Sequence, residues 1–130
     1  MENKDNKTRV VEFDSLKEFA EILEENPMVI SSVSENIPNA CLVSDYFIFD
    51  DKIIVVSNNE MMKTPDNILK NSNVCLLCFG PTYEGIRLTG KARYEDFGKF
   101  YDLVIQKFKN ENTNPKGAII IEVFKVESFS

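Results

Sequence analysis

The chain has 130 residues, a hydrophobic fraction of 43% and a formal net charge of −6, which together predict one domain with its own core. This acidic balance argues against a nucleic-acid partner and an anionic membrane surface, since both attract basic patches. The chain contains no histidine, which excludes a histidine general base, a histidine-ligated zinc and a haem held by a proximal histidine.

The polar segment at residues 1–8 predicts a frayed terminus and lacks the apolar stretch of a secretory signal. No apolar run is long enough to cross a bilayer, so a cytoplasmic protein is expected. The three cysteines, Cys41, Cys75 and Cys78, lie in apolar runs and are expected to be reduced thiols. Cys75 and Cys78 have CxxC spacing, but residues three apart in a strand point to opposite faces, which favours core thiols.

The first half of the chain predicts a helix followed by three strands. Ser15 and Glu18 have the spacing of a capping box, and apolar residues follow at helical spacing until Asn26 and Pro27. Alternating and β-branched residues then predict strands at 28–33, 40–49 and 53–57. The segment 35–39 is a predicted turn, and Asp50-Asp51 is the predicted tip of a hairpin.

The segment after the third strand combines a polar loop with a helix start. Thr64 is a predicted N-cap and Pro65 suits the first helical position. Lys63 lies beside this helix start, where free backbone N–H groups and the helix dipole also favour an anion. These groups predict a phosphate site, although ordinary capping, with Asp66 complementing the dipole, explains the same residues.

The second half of the chain predicts strands at 74–79, 83–94 and 118–126, with a helix at 97–108 before the last strand. Phe97, Phe100 and Phe108 fall at helical spacing and are predicted core residues. Gly85 and Gly90 predict a bulge or a close approach of two backbones. The element order predicts a mainly β, α+β domain in which six antiparallel strands curl into a small barrel.

The segment 57–68, above all Met61-Met62-Lys63-Thr64, resembles the FMN-binding split-barrel family, the pyridoxamine 5'-phosphate oxidase-like superfamily. The segment Gly85 to Ala92 is similar to a later strand of that family. The resemblance extends over roughly residues 28–129. It is closest to the small single-domain members of the family, such as the FMN-binding protein of sulfate-reducing bacteria.

The resemblance implies one FMN-binding domain over residues 1–130, built as an antiparallel six-stranded split β-barrel with flanking helices. It also implies a homodimer with FMN at the subunit interface. Lys63 and Thr64 would hold the FMN phosphate, and Val43 and Ser44 would line its phosphate and ribityl side. The remaining members of the implied cofactor-binding set lie in the same loop: Ser57, Asn58, Asn59 and Met62.

The resulting prediction is an FMN-dependent oxidoreductase or electron-transfer protein that serves a small-molecule or protein redox partner. No catalytic residue and no metal ligand is predicted, since the flavin supplies the redox chemistry. The segment 40–45 lacks the Arg that many relatives carry there, and the absence of His disfavours pyridoxine phosphate chemistry. The main alternative is a split barrel without flavin that acts as a binding or structural module. A single-strand-binding barrel and a deazaflavin or haem ligand are further alternatives.

Overall fold

The structure is a computed structural model that describes residues 8–130. Within this range the chain forms eight strands and three α-helices, and a single 3-10 turn, Leu16–Phe19, leads into the first helix. The strands are β1 (Thr8–Val11), β2 (Met28–Ser34), β3 (Ile37–Val43), β4 (Tyr46–Ile48), β5 (Ile53–Asn58), β6 (Asn73–Phe79), β7 (Gly85–Glu95) and β8 (Gly117–Phe129). The helices are α1 (Ala20–Glu25), α2 (Lys63–Lys70) and α3 (Lys99–Phe108).

The strands form one curled antiparallel sheet of the split-barrel type, in the order β3-β2-β6-β7-β8-β5-β4, with β1 also paired to β8. The pairing of β5 with β8 matters most for the site, because it aligns Asn58 with Gly117. The loop that follows β5 and the loop that precedes β8 therefore start from the same end of the sheet.

The core consists of two apolar clusters on the two faces of β5 and β8. Ile54 and Ile119 point into the main cluster inside the curled sheet. Val55 and Ile120 point the other way, into a smaller cluster with Val104 of α3. Because α3 covers the outer face, β5 and β8 are buried on both sides, which explains their uninterrupted apolar sequences. These two strands are the firmly packed base from which the site is built.

The mainly β fold with flanking helices was predicted correctly, but the structure has eight strands instead of six. The predicted strand 40–49 is two strands, because the chain leaves the sheet at Ser44 and Asp45. The predicted turn at 35–39 is shorter, since Glu35 and Asn36 alone adopt positive φ angles of 54° and 63°. The other three residues of that segment already belong to β3.

The helices begin close to the predicted positions. Ser15 and Glu18 form the predicted capping box, with Ser15 N–H donating to the Glu18 carboxylate over 2.9 Å. Phe97 was wrongly predicted to lie in the core: it precedes α3 and is 80% exposed, because the helix starts only after Gly98. Phe100 and Phe108 pack against the smaller cluster as predicted.

Gly90 combines the predicted bulge with the predicted close approach. The register between β7 and β8 shifts between Thr89 and Gly90. A Cβ atom on Gly90 would lie 2.6 Å from the Glu122 carbonyl oxygen, so the backbones can meet only where no side chain stands. The predicted fraying of residues 1–8 lies outside the described residues, except for Thr8, the first residue of β1. No helix within residues 8–130 is long and apolar enough to cross a membrane.

Candidate functional site

A groove of about 820 Å³ opens beside the N-terminus of α2. Its lining comes from three parts of the chain: the end of β3 with the segment that follows it, the end of β5 with the loop and first residue of α2, and the loop that precedes β8. The volume falls in the range of about 300–1,000 Å³ that is typical of ligand and cofactor sites.

The groove contains six of the eight residues predicted to bind a cofactor. These six are Val43, Ser44, Ser57, Asn59, Met62 and Lys63. The other two, Asn58 and Thr64, do not line it, and both are buried. The structure therefore brings together most of the predicted set and gives the remaining two a position behind the groove.

Thr64 was wrongly predicted to cap α2. The helix starts at Lys63, its N-cap is Met62, and no side chain caps its first turn. Thr64 is fully buried, and its hydroxyl accepts a hydrogen bond from Asn39 Nδ2 over 3.1 Å and donates to Cys41 Sγ over 3.6 Å. Of the two predicted phosphate ligands, only the exposed Lys63 reaches the groove.

The uncapped first turn of α2 leaves its N-terminal N–H groups without a side-chain acceptor. Pro65 carries no N–H group, so it removes one of the donors that a helix start leaves unpaired. The positive end of the helix dipole and the Lys63 ammonium lie on the same side of the groove. This side favours an anion such as a phosphate.

Asn58 connects the two loops that flank the groove. Its side-chain Oδ1 accepts from Met61 N–H over 2.8 Å, which holds the loop before α2. Its backbone oxygen accepts from Lys116 N–H over 2.7 Å, which holds the loop before β8. Its Nδ2 donates to the Tyr94 hydroxyl over 2.8 Å, so every polar group of the side chain is satisfied inside the protein. Asn58 therefore positions both loops.

Gly117 follows Lys116 and makes room for this arrangement. A Cβ atom at residue 117 would lie 2.1 Å from the Tyr94 hydroxyl oxygen. Glycine is therefore the one residue that lets Tyr94 reach Asn58 without displacing the strand.

A second set of hydrogen bonds orders the polar side chains of the groove. Ser57 Oγ donates to Asn59 Oδ1 over 2.7 Å, and Asn59 Nδ2 donates to Asp45 Oδ2 over 3.0 Å. The backbone N–H of Ser57 also donates to the Asp45 carbonyl over 2.9 Å. These bonds fix the segment at which β3 and β4 separate, so the interruption of the predicted strand shapes the groove.

The sequence did not predict that a third loop lines the groove. This loop contributes Asn112, Thr113, Asn114 and Lys116. Its sequence predicts only a polar loop between a helix and a strand. The missing information is the pairing of β5 with β8, a contact between distant parts of the chain. A lysine directly before an apolar strand is the only local feature that could have drawn attention to it.

Lys63 and Lys116 are the two cationic residues of the groove. Among the ion pairs and hydrogen bonds of residues 8–130, neither ammonium group has a partner. Two carboxylates, Asp45 and Glu60, also line the groove, and Asp45 is engaged by Asn59. The groove thus presents two ammonium groups that form no ion pair within residues 8–130.

A larger groove of about 1,040 Å³ lies between the segment 10–14, the tip of the β4–β5 hairpin and residues 122–126 of β8. Carboxylates outnumber lysines in its lining: Glu12, Asp14, Asp50, Asp51 and Glu122 against Lys52 and Lys125. Lys52 is already engaged, with its Nζ 3.3 Å from the Phe13 carbonyl oxygen and 4.0 Å from the centre of the Phe13 ring. This charge balance disfavours a phosphate, so the smaller groove is the candidate site.

The thiols of the CxxC segment lie outside the candidate site. Cys78 is buried, Cys75 is half-buried, and the alternation along β6 places them on opposite faces, as predicted. Burial raises the pKa of both thiols above its usual value. Burial also raises the pKa of Tyr46, whose hydroxyl donates to the Asn26 carbonyl and lies 3.8 Å from Cys78 Sγ. These groups stay protonated at neutral pH, and Tyr46 and Cys78 hold α1 against the sheet through the Asn26 and Ile22 carbonyls.

The sequence matches the family model described as pyridoxamine 5'-phosphate oxidase over residues 15–128. The chain belongs to this family. The match includes all eight residues of the predicted cofactor-binding set, and it extends over the groove and the strands that support it.

The individual proteins that resemble this chain have low sequence identity to it. The chain is 25% identical to the uncharacterized protein MJ0282 of Methanocaldococcus jannaschii over 115 residues, which cover 85% of this chain and 77% of that protein. It resembles HupZ of Group A Streptococcus with a TM-score of 0.74 and 21% identity, over 85% of this chain and 90% of HupZ. It also resembles an FMN-binding protein from Syntrophomonas wolfei with a TM-score of 0.70 and 17% identity, over 88% and 93% of the two chains. At these identities the structural matches establish the shared fold alone.

Proposed function

We propose that this protein binds FMN in the groove beside α2 and acts as a flavin-dependent oxidoreductase or electron-transfer protein. The observation that carries the proposal is the convergence of six predicted residues on one groove of about 820 Å³ with two unpartnered lysines. Membership of the pyridoxamine 5'-phosphate oxidase family supports the same ligand.

The residues of the groove fit the three parts of FMN. Lys63, beside the uncapped start of α2, supplies charge for the phosphate. Ser44 supplies a hydroxyl group for the ribityl chain, and Ser57 and Asn59, whose side chains bond within the protein, supply backbone groups along the ribityl chain and the ring. Met62 supplies apolar surface for the ring, and Val43 lines the phosphate and ribityl side. When bound, the flavin would supply hydride or electron transfer, and these groups would bind and orient it.

The chemistry needs no acid or base from the groove residues, and the chain contains no histidine. A flavin site must nevertheless exclude water around the reacting ring. The groove is open to solvent, with Leu42 73% exposed and Met62 81% exposed in its lining. Exposed apolar side chains at a ligand site are typical of a surface that another protein covers. They support the homodimer that the sequence resemblance implies, with the second subunit covering the flavin.

The first experiment is a visible absorption spectrum of the purified protein, before and after addition of FMN and removal of the excess. About one retained flavin per chain is the expected result for a single cofactor site. A folded, dimeric protein that retains no flavin would contradict the proposal and would favour the alternative module without flavin. The Asp45 and Glu60 carboxylates in the groove are the observation that keeps this alternative open.

The homodimer is tested separately, by light scattering on the parent protein and on Leu42→Glu. We expect the parent to have the mass of two chains and the variant to have the mass of one chain, because a carboxylate would be buried unpaired in the interface. Leu69→Glu is the matched control, since Leu69 is 75% exposed on α2 but does not line the groove. A monomeric parent, or a Leu42→Glu variant that stays dimeric, would contradict this interface.

A further inference from the structure

We infer that Lys116 is a second phosphate ligand, so that Lys63 and Lys116 together clamp the FMN phosphate from two different loops of the groove. The inference rests on the proposed function, because FMN is the ligand that brings the phosphate. It assigns a role to a residue that the sequence analysis did not single out.

The charges that line the groove favour this role for Lys116. Lys63 and Lys116 are its only cations, and both ammonium groups lack a partner within residues 8–130. Two like charges in one groove repel each other, and a shared anion turns this repulsion into attraction. Asp45 does not serve as that anion, because its carboxylate accepts from Asn59 and forms no ion pair with either lysine. Glu60 lines the groove but forms no ion pair with either lysine.

Hydrogen bonds hold the backbone of Lys116 in place. Its N–H donates to the Asn58 carbonyl over 2.7 Å, and the preceding Pro115 carbonyl accepts from the Tyr101 hydroxyl over 2.9 Å. Pro115 is itself buried, although Lys116 is exposed. A lysine whose backbone is fixed loses less conformational freedom when its side chain engages a ligand.

The loop that carries Lys116 is ordered by hydrogen bonds to Asn110. Asn110 Oδ1 accepts from the N–H groups of both Asn112 and Thr113 over 2.8 Å. The Asn110 N–H donates to the Thr113 carbonyl over 3.0 Å, so the loop folds back on itself before it reaches Pro115. The loop is therefore ordered by its own hydrogen bonds, which fix the backbone that leads to Pro115 and Lys116.

Asn58 links the loop that leads to Lys63 with the loop that carries Lys116. Through Met61 it holds the loop that leads to Lys63, and through its own carbonyl it holds Lys116. Both lysines are therefore positioned by one buried residue at the end of β5. Two cations that are positioned together suit a ligand group with several oxygen atoms, which can accept from both.

The inference is tested by comparing FMN with riboflavin, which has the same ring and ribityl chain but lacks the phosphate. Titrations monitored by flavin fluorescence give the affinity of the parent, Lys116→Ala, Lys116→Gln and Lys116→Arg for each flavin. We expect Lys116→Ala and Lys116→Gln to bind FMN about tenfold more weakly, the scale of one charge-assisted hydrogen bond. Their affinity for riboflavin should stay within about twofold of the parent value. Lys116→Arg should retain most of the FMN affinity because it keeps the charge.

Lys109→Ala is the matched control. Lys109 is an exposed lysine in the same connection between α3 and β8, but it does not line the groove. It should bind both flavins like the parent, and thermal unfolding should give similar melting temperatures for all variants. The double variant Lys63→Ala, Lys116→Ala measures the coupling of the two lysines, which should differ from additivity if they share one phosphate.

Each other outcome overturns the inference in a recognisable way. Equal losses of FMN and riboflavin affinity would place Lys116 against the ring or the ribityl chain instead of the phosphate. Unchanged FMN affinity in Lys116→Ala would remove Lys116 from the site and leave the proposed function intact. A parent protein that binds neither flavin would overturn the proposed function and this inference together.

Discussion

Two polar regions meet at α2, and their hydrogen bonding differs. Beneath the helix lies a buried polar layer, here the buried side chains of Ser32, Thr64 and Asn67 together with the half-buried side chain of Asn39. Thr64 and Asn39 bond to each other over 3.1 Å, and Asn67 donates to Ser32 Oγ over 3.1 Å. In front of the same helix, the groove contains two ammonium groups without partners in the described chain.

The difference shows how structural polar groups are distinguished from those of a binding site. The number of hydrogen-bond and ion-pair partners within the chain matters more than the residue type. Lys63 and Thr64 are neighbours in sequence, and both suit a phosphate chemically. Thr64 is fully buried and its hydrogen bonds are satisfied, so it holds α2 on β3. Lys63 is exposed and unpaired, so it is available to a ligand. The buried layer should therefore govern stability, and the groove should govern affinity.

The largest expected effect comes from one substitution made in both regions. Thr64→Val keeps the shape of the side chain but leaves the Asn39 amide with only the weak acceptor Cys41 Sγ, which should lower the free energy of unfolding by about 1–3 kcal/mol. Thr113→Val, in the groove, removes a hydroxyl for which no hydrogen bond is found, so it should change stability by less than about 0.5 kcal/mol. Urea denaturation measures both values. Equal effects of the two substitutions would contradict the distinction.

The next effect concerns affinity in place of stability. Lys63→Ala should weaken FMN binding by about tenfold, because it removes a charge from the phosphate site. Its free energy of unfolding should stay within about 0.5 kcal/mol of the parent value, since the Lys63 ammonium has no hydrogen-bond or ion-pair partner within residues 8–130. Lys70→Ala removes an exposed lysine from the other end of α2 and serves as the control. The phosphate site would be misplaced if both variants bound FMN equally well.

The smallest expected effect is a gain in affinity. Glu60→Gln removes a carboxylate from the groove that repels the phosphate, which should strengthen FMN binding by about two- to fivefold at low salt. Salt should reduce the gain, because screening weakens interactions between exposed charges. Glu111→Gln is the control, since Glu111 is exposed near the same groove but does not line it. Weaker binding of FMN to Glu60→Gln would indicate that Glu60 itself contacts the ligand.

The sequence predicted the elements and one side of the groove well because both depend on neighbouring residues. The capping box at Ser15 and Glu18 is a local pattern, and the structure contains it. Lys63 could be predicted because a strand, a polar loop and a helix start follow one another within a few residues. The fold class followed from the order of such elements and from the resemblance carried by the same loop.

The other side of the groove could not be predicted, because it depends on contacts between distant segments. Lys116 joins the groove only because β8 pairs with β5, and Asn58 becomes its support for the same reason. Thr64 differs from an N-cap by two positions, a shift that local propensities do not resolve. Phe97 fits the helical pattern, but Gly98, with a φ of 105°, starts the helix after it.

The loop before β8 is tied to other parts of the chain at its end, whereas its middle is held by hydrogen bonds within the loop, which bears on how this fold can acquire new specificity. Pro115 and Lys116 are tied to Tyr101 and Asn58, whereas Asn112 and Asn114 are exposed and bond mainly within the loop or not at all. Residues inserted or exchanged upstream of Pro115 would alter what lies against the ligand and leave the lysine in place. Under the proposed function, Lys116 would anchor any phosphorylated ligand, and the groove-lining residues 112–114 would contribute to the choice among such ligands.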